Sequence, residues 1–454
     1  MNFALNFVIH IIGLALALNA LFQSRTPQGA LAWFLALVGF PKIGIPLFII
    51  FGRRRYHEER PSPVFKIPRP EIVLHQNEVL EEFEKFLKHT GAGFTGNNTI
   101  DLLINGEMIY EKMCEDISNA KKYIILQVYI FRTDNTGKRF IELLSRKAKE
   151  GVKVYVLYEK VLIKMSKKSL KYMRESGVHL GLFRPGTRNK LQLNFRNHRK
   201  ILIVDGEVGF FGGINIGDDY IGKDPNIGAW RDTNVRVRGP ALIEAQKTFC
   251  YDWFSSQGSG PDIDWQSSLT EGNDNILIFS SGPVQEKPFC LLHHIAMVDM
   301  AVKRLWIANP YIVPPQSLLD ALFMAALRGV DVRLIVPSYS DNQLVMLAAN
   351  TYYERLISYG IKIFKYKAGF LHQKVMLVDD ILGVVGSANF DYRSMYINFE
   401  VTLTTSSQKF IKDLELMLID DFKNSDRLNL GELRNKVLYE KILERGMNLL
   451  VPVL

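Results

Sequence analysis

Two stretches of this 454-residue chain carry one polar pattern on an apolar, β-branched background: "NHRKILIVDGEVGFFGGIN" from Asn197 and "LHQKVMLVDDILGVVGSAN" from Leu371. Both read HxKxxxxD, giving His198, Lys200 and Asp205 in one and His372, Lys374 and Asp379 in the other. Each is followed by Gly-Gly or Gly-Ser and by an asparagine seventeen residues after the histidine, Asn215 and Asn389. On an extended chain, residues i and i+2 share a face with Cα atoms ~6.7 Å apart, so each histidine and lysine is expected to enter one site together. Each aspartate has the opposite parity and stands beside Gly206 or Asp380, where a hairpin turn is expected, a place for orienting or stabilising rather than attack. The lysines supply positive charge for a phosphate, and the asparagine amides can donate to its oxygens. Two histidines divide a substitution at phosphorus between them. One attacks to form a phospho-histidine, while the other protonates the leaving alkoxide and then deprotonates the incoming alcohol or water. The spacing does not say which does which, and the chemistry calls for no metal and no cofactor.

A single HxK on a strand is more often a surface pair or a satisfied core histidine. Two copies with identical offsets favour a site. Asp232 in "WRDTNVRVRGP" and Glu400 in "NFEVTLTT" each precede a strand-like run and suit the holding of a histidine tautomer, with an ordinary salt bridge as the competing reading. Asp391 and Arg393 in "NFDYRS" read as a hairpin salt bridge outside the catalytic set.

The elements that must position these groups are themselves repeated. "NAKKYIILQVYIF" and "AKEGVKVYVLYE" find their echo in "AVKRLWIANPYIVPP" and "ALRGVDVRLIVP", and "YMRESGVHLGLF" in "RLISYGIKIFKY". Helix, strand, helix, glycine stop and strand recur in α/β order, so two copies of one domain are expected, at 98–256 and 276–430. A linker of Ser, Gly, Asp and Asn joins them at 257–275, and 431–454 reads as a packed C-terminal helix and tail. Before the first copy, 61–97 is a tether that begins proline-rich, at Pro61 to Pro70.

Residues 1–60 differ in kind. Phe3 to Phe22 contains no Asp, Glu, Lys or Arg and matches the ~20 residues of a membrane-crossing helix. Ala30 to Phe51 is also apolar but is broken by Pro41, Lys42 and Pro46, which suits a kinked span or a re-entrant segment. A membrane hairpin is favoured over a cleaved signal peptide because the start lacks basic residues and a second apolar run follows. Arg53 to Arg55 after the second run, against Arg25 alone between the runs, puts both termini and the downstream domains on the cytoplasmic side. The net charge of +9 favours anionic partners, and three isolated cysteines form no zinc or disulfide framework.

With these motifs in hand, the chain resembles the phospholipase D superfamily and, within it, the bacterial cardiolipin synthases. The paired HxKxxxxD with its Gly-Gly or Gly-Ser and Asn carries the broad resemblance. The narrower one rests on "RTPQGALAWFLALVGFPKIGIPLFIIFGR", "WRDTNVRVRGPA", "PYIVPP" and "GSANFDYRSMYINFE", and it covers essentially the whole chain. It implies a mixed α/β chain with N-terminal membrane helices and two duplicated αβα sandwich domains of the phospholipase D fold, meeting around one site. It also implies that His198 is the nucleophile, that His372 is the general acid and base, and that Asp232 and Glu400 hydrogen-bond the histidines. The implied reaction transfers a phosphatidyl group between two phosphatidylglycerol molecules to give cardiolipin and glycerol, at a bacterial cell membrane, with lipid and not nucleic acid as partner. "YEKVLIKMSKKS" (Tyr158 to Ser169) departs from the family pattern, which expects Asp and Gly-Ser there, and touches local substrate contacts. Competing readings are lipid hydrolysis to phosphatidic acid, a nucleic-acid phosphodiesterase, and a non-catalytic membrane scaffold. The N-terminal apolar runs and the sparse basic and aromatic runs around the motifs disfavour the second, and the intact motifs disfavour the third.

Overall fold

The computed structural model describes residues 2–24, 27–52, 71–73, 78–159, 164–183, 194–225, 227–263, 265 and 270–448. The arginines 53–55, the proline-rich tether 61–70, part of the segment 158–169 and part of the linker 257–275 lie outside them.

Short β-branched runs with no polar alternation, such as Tyr123–Val128 and Ile201–Val204, are buried on both faces, as strands covered by helices must be. They belong to one fifteen-stranded sheet built from two like halves. From the middle outward the first half runs Thr95–Ile104, Thr233–Arg238, Val208–Gly212, Ile201–Val204, Tyr123–Val128, Lys153–Glu159 and His179–Phe183. The second half repeats that order with Asp274–Ser281, Glu400–Thr405, Leu382–Gly386, Val375–Val378, Arg304–Ala308, Asp331–Pro337 and Lys362–Tyr366, and adds the edge strand Ser425–Arg427. The outer strands of the repeat pair in parallel and the others antiparallel. The halves join where Thr95–Ile104 meets Asp274–Ser281 antiparallel, Thr95 opposite Ile276.

Helices cover both faces. Ile124 and Leu126 face a core shared with Ile109 and Phe140 of the helices Gly106–Ser118 and Asn135–Lys149, whereas Tyr123 and Ile125 face the core containing Phe249 and Trp253 of Leu242–Gln257. The helix starts are set by local chemistry: Asp134 accepts from Gly137 N, and Ser407 accepts from Phe410 N, each satisfying an amide with no partner inside its helix.

At the N-terminus, Asn2–Gln23 is one apolar helix of 22 residues, about 33 Å at 1.5 Å per residue. Among the described residues it contains the only helix long and apolar enough to cross a membrane, Ala4–Gln23. The second apolar run is two shorter helices, Pro27–Gly39 and Pro41–Phe51, separated at Phe40, with Pro41 opening the latter and Pro46 inside it. Proline has no N–H to continue the earlier helix, which is why the run breaks there. At the other end Leu438–Asn448 lies on Gln343–Ser358, tied by Asn350 Nδ2 donating to Glu444 at 2.8 Å.

Candidate active site

Both motif histidines lie just ahead of a strand rather than within one: regular pairing begins at Ile201 and Val375. What holds each histidine extended is the opposite half. His198 N donates to Phe399 O at 2.9 Å, and Phe399 N donates back to Arg196 O. In the second half, His372 N donates to Arg231 O at 2.8 Å, and Phe370–Leu371 pairs in parallel with Trp230–Arg231. Phe399 and Arg231 immediately precede Glu400 and Asp232. Each motif is therefore laced to the backbone just ahead of the other half's carboxylate.

The side chains cross in the same way. His198 Nδ1 lies 3.0 Å from Glu400 Oε2, and His372 Nδ1 lies 2.8 Å from Asp232 Oδ2. A carboxylate only accepts, so both imidazoles carry their proton on Nδ1 and leave Nε2 with its lone pair. Glu400 also accepts from Ser387 Oγ, Ser394 Oγ and Asn398 Nδ2, while Asp232 accepts from Thr233 N and Trp230 Nε1. Ser387 is the serine of the Gly-Ser pair. Its counterpart Gly213 has no side chain for a reason, since a Cβ there would stand 2.4 Å from Asp232 Oδ1.

Burial dominates the electrostatics. It pushes His198 down to about 4 against the pull of Glu400, and Lys200 pushes the same way. His372 is lowered by burial and then by Lys374, with Asp232 opposing. Lys374 falls to about 8, again mainly by burial, and Lys200 lies well below the ordinary lysine range. Despite their own burial, Glu400 and Asp232 are held below the usual carboxylate range by the histidines and lysines beside them. At neutral pH the resting pairs are neutral imidazole against ionised carboxylate. Lys200 and Lys374 each feel the other half's groups, which places both motifs in one electrostatic site.

The remaining motif residues serve different ends. Lys200 Nζ donates to His198 O at 2.7 Å, and Lys374 Nζ donates to His372 O, so each ammonium folds back on its own motif. Asp205 takes the backbone N–H groups of Lys121, Lys122 and Tyr123, and Asp379 those of Val302, Lys303 and Arg304. Both aspartates adopt positive φ, 55° and 48°, in the hairpin turn. Asn215 accepts from Ile130 N and donates to the Tyr220 hydroxyl, whereas Asn389 Oδ1 has no partner among the described residues. Asp391 and Arg393 do not form the expected salt bridge. Asp391 caps a short helix by accepting from Ser394 N, and Arg393 crosses to Asn194 of the first half.

Sequence reasoning passed over the residue between each histidine and lysine. Arg199 pairs with Asp252 at 2.6 Å and donates to Glu400 O and Ser281 O, while Gln373 donates to Asp421, itself bound by Arg231 at 2.8 Å. Asp252 and Asp421 occupy matching places near the ends of the long helices Leu242–Gln257 and Gln408–Lys423. The repeat of "YDWF" as "DDFK" was the available signal. Tyr129 stands edge-on to His198 at 4.8 Å and Trp230 lies 4.9 Å from His372, so each imidazole also has an aromatic wall.

Two halves that share one such site define a class, and the comparisons agree with it. The family described as "Cardiolipin synthase, PLD-like domain" matches residues 113–253 and 294–421. Cardiolipin synthase A of Pseudomonas putida (strain GB-1) is 35% identical over 465 residues, covering 98% of this chain and 97% of that one. The protein of the same name from Pseudomonas aeruginosa (strain LESB58) is 35% identical, covering 98% and 95%. Among solved structures, phosphatidylserine synthase of Haemophilus influenzae Rd KW20 superimposes with a TM-score of 0.66 at 15% identity, over 83% of this chain and all of that one. That likeness shows the fold. The chain belongs to the cardiolipin synthase family of PLD-like proteins.

Proposed function

We propose that the protein is a phosphatidyltransferase that makes cardiolipin and glycerol from two molecules of phosphatidylglycerol. The observation that carries this reading is the crossed pair: two buried imidazoles, one from each half, each with Nδ1 occupied by the other half's carboxylate and Nε2 left for chemistry. The names of the curated relatives support the substrate and product.

In this reading His198 Nε2 attacks the phosphorus of the first phosphatidylglycerol. His372 Nε2 takes up a proton as the phosphate anion binds; the bond from phosphorus to the glycerol oxygen then breaks, and that oxygen leaves with this proton. A hydroxyl of the second phosphatidylglycerol then gives its proton to His372 while its oxygen attacks phosphorus. The P–N bond breaks, and its electron pair returns to His198 Nε2. Lys200 and Lys374 are the cations beside the transferring phosphate, and the bound anion raises their pKa values and that of His372, which burial depresses in its absence. Glu400 and Asp232 fix the tautomers and offset the imidazolium charge. One phosphodiester replaces another, so the exchange is near balance and added glycerol opposes it.

Attachment to a bacterial cell membrane through the N-terminal helices, in more than one pass and with the catalytic halves on the cytoplasmic side, belongs to the same proposal. The apolar helix Ala4–Gln23 and the arginines 53–55 support it. Purified protein in liposomes with headgroup-labelled phosphatidylglycerol tests the reaction by mass spectrometry. Cardiolipin with one labelled glycerol released per turnover is expected. Phosphatidic acid alone would make the protein a hydrolase.

A further inference from the structure

The two halves match closely at the histidines but not at the loop that follows the third repeated strand of each. In the first half Lys153–Glu159 leads towards Lys164, whose backbone pairs with that of Arg132. In the second half the corresponding strand Asp331–Pro337 leads through Ser338 and Ser340 to Asp341, next to the cap of helix Gln343–Ser358. Asp341 is exposed and accepts from the Tyr311 hydroxyl through Oδ1. Tyr311 is fixed in turn by its own N–H donating to Asn309 Oδ1, which also takes Phe390 N from the chain beside Asn389. Oδ1 also takes Ser340 Oγ at 3.4 Å, and among the described residues Oδ2 has no hydrogen bond and no cation pairs with Asp341.

The charge of Asp341 reaches His372 and Lys374, and it also reaches the first half at Tyr220, the hydroxyl that Asn215 binds. The geometry agrees: Asn309, which fixes Tyr311, lines one small cavity with Lys374, and Tyr339, two residues ahead of Asp341, lies 5.9 Å from Phe370, itself 5.9 Å from His372, so Asp341 stands on the side of the acid and base. A carboxylate there repels a phosphodiester, so donor binding gives it no purpose. An alcohol is different. A glycerol headgroup brings two free hydroxyls, one to attack phosphorus and one left over, and an exposed, pinned carboxylate oxygen is a strong acceptor for the second.

We propose that Asp341, held in place by Tyr311, is a specificity-determining residue that accepts a hydrogen bond from the non-reacting hydroxyl of the acceptor's glycerol headgroup and so selects polyols over monoalcohols and water. The inference rests on the phosphatidyl-transfer reading above. A site arranged around a substrate hydroxyl discriminates against analogues that lack it far better than an apolar pocket does.

The test offers phosphatidylglycerol as donor to the wild type, Asp341→Asn, Asp341→Glu and Tyr311→Phe, with deuterated glycerol, 1-propanol and ethanolamine as competing soluble acceptors, and reads the phosphatidyl products by mass. In Asp341→Asn the ratio of glycerol to propanol transfer is expected to fall about tenfold, as expected for a lost hydrogen bond to a charged group. Tyr311→Phe should lower it by less, and Asp341→Glu should restore part of it. Loss of the Asp341 charge near His372 acts on every acceptor alike and cancels in the ratio. An unchanged ratio, or an equal fall for all acceptors, overturns the assignment, and so does a fall in ethanolamine transfer larger than that in glycerol transfer, which would mark a cation site. If the wild type transfers to no alcohol at all, the phosphatidyl-transfer reading itself fails, a result distinct from altered selectivity in the variants.

Discussion

His198 and His372 are chemically useful because burial and carboxylates act on them in opposite directions. Burial keeps both neutral at rest, which suits a nucleophile, while Asp232 keeps the proton on His372 affordable, which suits an acid. The sign for Asp232 follows: its negative charge raises the His372 pKa, so removing it lowers that pKa further. In Asp232→Asn the alkaline limb of the pH profile of kcat/KM should move to lower pH, with a loss of about 10²-fold or more at neutral pH from the disturbed tautomer. A pH profile with an unmoved alkaline limb would count against His372 as the acid. At this scale the sequence was informative because the His-Lys spacing and its duplication are written locally. The partners of Asn215 and the turning back of the lysines onto their own carbonyls were not, since both depend on where a distant backbone ends up.

Within the elements, Asp205 and Asp379 do for strands what a cap does for a helix. Each gathers three consecutive amides at the start of the neighbouring strand, Tyr123–Val128 or Arg304–Ala308, and so fixes where that strand begins against the hairpin that follows the motif. Asp205→Ala leaves three amides without their acceptor and keeps a β-carbon at φ 55° without the carboxylate's hydrogen bonds that offset it. Equilibrium denaturation should record a loss of about 3 kcal/mol, from hydrogen bonds to a charged acceptor worth ~1.5–3 kcal/mol each and partial rehydration of the amides. A variant as stable as the wild type but inactive would instead put Asp205 in the chemistry. The turn itself was legible from Gly206 and Asp380, because turn residues announce themselves. The amide partners were not, lying some eighty residues upstream. Arg199 and Gln373 escaped notice for a related reason: between a histidine and a lysine they look like spacers, and only the fold brings Asp252 and Asp421 beneath them.

For the whole molecule, duplication and crossing have to be separated. The repeat of helices and strands is periodic and was readable, as was the apolar N-terminus, although Pro41 divides its second run into two helices rather than kinking one. The crossing is a property of the assembled pair, with Glu400 on His198 and Asp232 on His372, so neither half holds a finished histidine by itself. Pattern within one copy contains no information about it. Under the proposed mechanism the two halves are then unequal in their consequences, with Glu400 behind the group proposed to attack and Asp232 behind the group proposed to move protons. The most direct measurement is therefore to trap the enzyme on its substrate: incubate the wild type and His372→Ala with phosphatidylglycerol, quench in alkali, digest, and locate the phosphorus-bearing peptide by mass spectrometry. The adduct is expected on His198 in the wild type, formed more slowly in His372→Ala, and absent from His198→Ala. An adduct on His372, or full turnover by His198→Ala, would contradict this assignment of roles.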